Sequence, residues 1–145
     1  MQPIEILVVE DNPGDAKLTA EALRDARILN RIHAVDNGAD ALAFLRREGK
    51  YGDAPRPTLV FLDLNLPKVS GHEVLATMKA DEHLRSIPVV VMSSSDNEAE
   101  VNRAYDEQVS SYIVKPLDLN QYFAAIRAVK ELWFHVVALP TSPEQ

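Results

Sequence analysis

The chain has 145 residues, 46% of them hydrophobic, and no cysteine. That length suits one domain able to bury about two-thirds of its unfolded surface, and the apolar share excludes intrinsic disorder. Its 22 acids against 15 bases give a formal charge of -7, which repels phosphate backbones and argues against nucleic-acid binding. Without cysteine there are no disulfides, thiolate nucleophiles or zinc–thiolate sites. No basic, apolar leader opens the sequence, and no apolar run approaches the roughly 20 residues that span a bilayer. A cytoplasmic chain without membrane contact is expected.

Ile4–Val9 is a short, nearly continuous apolar run, the pattern of a strand covered on both faces. Asn12-Pro13-Gly14-Asp15 follows, with Asn suited to a cap and Pro to the first helical position. A helix to about Arg27 is predicted, with Ala16, Ala20, Leu23 and Ala26 facing inward. Arg31–Val35 reads as a weaker edge strand. Asp36-Asn37-Gly38 turns into a helix burying Ala41, Leu42 and Leu45. Glu48–Pro57, with two Gly and two Pro among charged residues, reads as a surface loop.

Thr58–Leu62 is a second strand of the doubly buried type. Ser70-Gly71-His72-Glu73 fits the S-x-x-E capping box and opens a helix carrying Val74, Leu75 and Met78. Pro88–Met92 is the fourth strand. Ser95-Asp96-Asn97-Glu98 is a second capping box, before a helix with Val101, Ala104 and Tyr105. Ser111–Val114 is the fifth strand, and Asp118 caps a last helix bearing Leu119, Tyr122, Phe123, Ile126 and Val129. Strands alternating with helices call for an α/β fold, a doubly wound five-stranded parallel sheet with right-handed crossovers.

Four of the strands run into chemically useful residues: Glu10-Asp11, Asp63, Ser93 and Lys115. In an open parallel sheet the carboxyl ends of neighbouring strands border one crevice, where ligands bind. Clustered carboxylates repel one another, and a divalent cation removes that cost. Mg²⁺ uses one or two carboxylates and keeps several waters; Asp11 and Asp63 suit direct ligation, with Glu10 holding a ligated water. Lys115 and the Ser93 hydroxyl suit phosphoryl oxygens. Together they describe phosphoryl transfer to a carboxylate nucleophile. Each residue also has a plainer reading: Glu10 and Asp11 as helix N-terminal charges, Asp63 as a loop acid, Ser93 as a cap, Lys115 as a surface lysine. His33, His72, His83 and His135 show no metal spacing and read as structural or solvated. No glycine-rich nucleotide loop is present.

The stretches ILVVEDN, FLDLNLPKVSG, PVVVMSSS and SYIVKPL resemble the receiver domain of bacterial two-component response regulators, the flavodoxin-like, chemotaxis-regulator-like fold. The resemblance implies sheet order 2-1-3-4-5 and a receiver over residues 1–130. It implies phosphorylation of Asp63 by a histidine kinase, with Glu10, Asp11, Asp63 and the Asn65 backbone carbonyl around Mg²⁺ (or Mn²⁺ or Ca²⁺ in its place). It also implies phosphoryl contacts from Ser93 and Lys115, a switch through Ser93 and Tyr112, and a cis peptide between Lys115 and Pro116. Glu10 stands where Asp is commoner and Ser93 where Thr is commoner; both keep the needed oxygen. The loop Glu48–Pro57 is longer than in minimal receivers. With Asn12–Asp15 and the tail, that loop is similar to single-domain regulators paired with bacterial phytochromes, which implies a bacteriophytochrome as kinase.

The tail, 131–145, places Trp133, Phe134, Val136, Val137 and Leu139 after the last helix with no core left to fill. Exposed apolar surface of this kind marks interfaces, so a homodimer is expected, with Tyr122 and Ile126 of the last helix beside these residues. The other reading is a tail packed on its own domain. No output domain is expected, and the chain is expected to catalyse only its own phosphorylation and dephosphorylation. Two rival functions are a haloacid-dehalogenase-like phosphatase, which wants an Asp where Asn65 stands, and a pseudo-receiver that binds without carrying phosphate.

Overall fold

A computed structural model describes residues 4–24, 30–93 and 98–114, together with 120, 124, 127 and 128. In chain order the elements are β1 (Ile4–Val9), α1 (Pro13–Arg24), β2 (Asn30–Val35), α2 (Gly38–Arg46), β3 (Leu59–Asp63), α3 (Gly71–Ala80), β4 (Val89–Ser93), α4 (Glu98–Asp106) and β5 (Ser111–Val114). Asn120, Ala124, Arg127 and Ala128 are helical and exposed, as the expected last helix requires. The strands form one parallel sheet in the order β2-β1-β3-β4-β5, the predicted order.

Continuous apolar runs follow from the two covers of this sheet. Leu7 and Val9, Val60 and Leu62, and Val89 and Val91 point to one face, where they meet Phe44 of α2, Leu75 and Met78 of α3 and Ala104 of α4. Their strand neighbours Ile6 and Val8, Leu59 and Phe61, and Val90 and Met92 point to the other, against Leu18 and Leu23 of α1. Side chains alternate across a strand, so only a strand buried on both sides needs every position apolar. Each such side chain contributes about 1.5–3 kcal/mol by leaving water. At the edge, β2 is only partly buried until Val35.

The helix starts are fixed by polar caps. Asn37 Oδ1 accepts the Asp40 N–H at 2.8 Å, and Ser70 Oγ accepts the Glu73 N–H at 3.2 Å, the expected capping residue. Asn12 Oδ1 accepts the Asp15 N–H at 3.0 Å, and its carbonyl accepts the Ala16 N–H at 2.9 Å.

The structure departs from expectation in several places. β3 and β4 both begin and end one residue later than expected, because Asp63 pairs with Met92 and Ser93 with Val114 in the ladder. Tyr105 lies half exposed on α4 rather than inward, the helix face being set by Ala104. The loop after α2 holds a short 3₁₀ turn, Gly49–Tyr51, whose Tyr51 ring packs on Phe44 at 5.5 Å, with His33 on Phe44 at 5.3 Å. Two histidines are structural: His33 Nε2 lies 2.6 Å from Glu5 Oε2, and His72 Nδ1 lies 2.5 Å from Glu107 Oε1. The latter contact ties the start of α3 to the end of α4.

Several expectations fall outside the described residues. These are Ala26 in the first helix, Ser95–Asn97, Lys115, Pro116 and its cis peptide, Asp118, Leu119, Tyr122, Phe123, Ile126 and Val129, and the tail residues Trp133, Phe134, His135, Val136, Val137 and Leu139.

Candidate functional site

The strand register brings the acids together. Val9 pairs with Leu62, so Glu10, the next residue of the chain, stands beside Asp63 at the carboxyl ends of β1 and β3. The Glu10 N–H donates to the Val35 carbonyl at 3.0 Å, which holds this corner to β2 as well. Ligating oxygens of Glu10, Asp11 and Asp63 all lie within 4.8 Å of one another. Glu10 is 2% exposed and Asp63 4%, while Asp11 faces solvent.

Each buried acid is oriented by backbone. The Asn65 N–H donates to Asp63 Oδ1 at 2.8 Å, and the Asn12 N–H donates to Glu10 Oε1 at 3.1 Å. α1 takes its cap from Asn12 and its first-turn acid from Asp15, with Glu10 and Asp11 just before the cap. Asp63 is not a loop acid, since it is the last residue of β3. Three oxygen donors around one point, one of them open to water, fit a hard divalent cation that keeps part of its hydration shell.

The segment after Asp63 is held by two close approaches. A Cβ on Gly71 would meet the Asp63 carbonyl oxygen at 2.6 Å and Leu64 Cα at 2.5 Å. One on Gly38 would run into the Val69 carbonyl. The starts of α2 and α3 therefore pack directly on the 64–70 backbone, and the Gly71 N–H donates to the Leu64 carbonyl at 3.1 Å.

Ser93 ends β4, fully buried. Since Asp63 pairs with Met92, Ser93 lies one residue beyond Asp63 on the neighbouring strand. Val114 of β5 is level with Ser93. Tyr112 is half-buried, packed against the core on the α2–α4 side. The sequence reading missed one contributor. The 3₁₀ turn carries Lys50 and Tyr51 to a cavity of about 460 Å³ that Glu10, Asp11, Asp36 and Asp40 also line. The only trace of this in the sequence is the extra length of that loop.

Residues 6–127 match the response regulator receiver domain. The chain belongs to the response regulator receiver family. Response regulator Rcp1 of Synechocystis sp. is 39% identical over 140 residues, covering 97% of this chain and 95% of that protein. A crystal structure of the phosphorylated cyanobacterial phytochrome response regulator RcpA superimposes with a TM-score of 0.93 at 43% identity, over 97% of this chain and 100% of that one. The Mn²⁺-bound form of Rcp1 superimposes with a TM-score of 0.92 at 40% identity, over 96% and 100%. Family membership sets aside the dehalogenase-like alternative. No described helix is long and apolar enough to cross a membrane.

Proposed function

We propose that this receiver accepts a phosphoryl group on Asp63 from a histidine kinase, in a reaction that needs Mg²⁺, and signals by the change that follows. The observation that carries this reading is the buried Asp63 carboxylate, oriented by the Asn65 N–H and set within 4.8 Å of the Glu10 and Asp11 oxygens.

In the transfer, an Asp63 carboxylate oxygen forms a bond to phosphorus as the bond from phosphorus to the kinase's histidine nitrogen breaks. The leaving imidazole keeps the electron pair. Bound Mg²⁺ would supply charge neutralisation for the phosphoryl oxygens. Asp11, Asp63 and the Asn65 carbonyl would ligate it, and Glu10 would hold one of its waters. The Asn65 N–H keeps one carboxylate oxygen engaged and so fixes which way the group faces. Burial of Asp63 limits the water able to attack the acyl phosphate.

The family resemblance assigns Lys115 to the phosphoryl group, and Ser93 and Tyr112 to the switch. The position of Ser93, one residue beyond Asp63 on the adjacent strand, supports its part in this reading. A phytochrome-type kinase is supported by the similarity to Rcp1 and RcpA, the latter described as a phytochrome response regulator. On this reading the protein is cytoplasmic, homodimeric through its tail, and acts by protein contact. It turns over no separate substrate.

The test is phosphotransfer from a phosphorylated histidine kinase, a bacteriophytochrome included, with Mg²⁺ or with EDTA. Transfer should require the metal and Asp63. Intact metal binding with no transfer from any kinase or from acetyl phosphate would instead identify a pseudo-receiver.

A further inference from the structure

At the end of the sheet opposite the acids, three arginines line one cavity of about 240 Å³. Arg46 and Arg47 come from the end of α2, Arg56 from the segment entering β3, and Asp81, His83 and Leu84 from the turn between α3 and β4. These segments lie at the amino ends of β3 and β4, whereas Glu10 and Asp63 lie at the carboxyl ends of their strands. The chain as a whole carries a charge of -7, yet three arginines and a single carboxylate residue, Asp81, line this cavity. That carboxylate already accepts the His83 N–H at 2.8 Å.

The side chain of Arg56 is held by hydrogen bonds. Arg56 Nη1 donates to the His83 carbonyl, and its Nη2 lies 3.1 Å from Ser86 Oγ. This braces the entry to β3 against the turn before β4. Arg47 sits in the left-handed region at φ 56°, with its N–H on the Ala43 and Phe44 carbonyls, which ends α2 and turns the chain at the cavity. The floor is apolar, with Leu45 7% and Leu84 5% exposed.

The geometry points to a binding site for a small, multiply charged oxyanion, a phosphate or a carboxylate. A guanidinium presents planar, paired N–H donors that match such oxygens bidentately, and several on one wall favour a ligand with more than one charge. The buried Leu45 and Leu84 give the bound anion an apolar surface to rest on, while Arg46 and Arg47 stay exposed. The site is independent of the Asp63 reading, because it shares no residue with the acid cluster.

Residue-resolved NMR titration of the full chain in EDTA, with pyrophosphate and in parallel with citrate, tests it. Sodium chloride at matched ionic strength is the reference. Saturable shifts should appear at amides of residues 45–48, 56 and 81–86, and the tighter-binding anion identifies phosphate or carboxylate as the preferred chemistry. Arg46→Gln, and Arg46→Gln with Arg47→Gln, alter exposed side chains and spare the Arg56 brace. The double variant should bind about tenfold or more weakly, the loss expected when charge-assisted bonds are removed. Non-saturating shifts, shifts equal to those in chloride, or equal affinity in a folded double variant would overturn the proposal.

Discussion

Replacing Asp63 by asparagine should stabilise the metal-free protein while removing its proposed function. At 4.8 Å, the outer limit of the acid cluster, two unit charges repel by about 1 kcal/mol in water and about 3.5 kcal/mol at an effective dielectric constant of 20. Glu10 and Asp63 are both nearly fully buried, so that pair belongs near the higher figure. Asp11 is exposed, so its pair with Asp63 belongs near the lower one. Asparagine keeps an oxygen to accept the Asn65 N–H, but the bond becomes a neutral one and weakens. A net gain of about 2 kcal/mol remains, or about 4–8 °C in Tm for a chain of this size. Thermal unfolding followed by circular dichroism at neutral pH in EDTA measures it. Added Mg²⁺ should then raise the wild-type Tm more than that of the variant, because binding to the native state adds stability by mass action. An Asp63→Asn protein that melts at or below the wild type in EDTA would refute the account of crowded, ionised acids.

Gly71→Ala should cost about 1–3 kcal/mol by overpacking, since its Cβ would land on the backbone of Asp63 and Leu64. Urea denaturation reads this, with Gly52→Ala as a near-neutral control whose Cβ comes no nearer than 3.6 Å to its neighbour. Burial lowers the pKa of Lys79 from its ordinary 10.5. The unfolded chain therefore holds this proton more tightly, and stability should rise as pH climbs through the lowered folded value toward 10.5. Urea midpoints of Lys79→Met should lack that rise. Truncation after Lys130 should convert the expected dimer to a monomer by light scattering; a monomeric wild type or an undisturbed dimer would count against the tail.

Much of the site was legible because the signal is local to each strand. Runs such as Thr58–Leu62 declare a doubly covered strand, and the acid at the end of such a run must emerge at the carboxyl edge of the sheet. Glu10, Asp11 and Asp63 could therefore be brought together from sequence, and the structure places them within 4.8 Å. What was not legible depends on contacts between distant segments. Nothing local to His72 announces Glu107, nor does His33 announce Glu5. The loop at 48–57 reads as polar surface, yet Tyr51 packs on Phe44 through a contact set by tertiary folding. Gly71 reads as the second residue of a capping box. Its additional role, allowing α3 to touch the backbone of Asp63, appears only in three dimensions. Tyr105 shows the converse error, an aromatic at helical spacing that the packing of Ala104 leaves outside.

The central claim is tested most directly by locating the phosphoryl group. After incubation with acetyl phosphate and Mg²⁺, peptide mapping by mass spectrometry should find one added phosphoryl group, on the peptide containing Asp63, and none in EDTA. A phosphoryl group on another residue, or an equal yield without divalent metal, would contradict it.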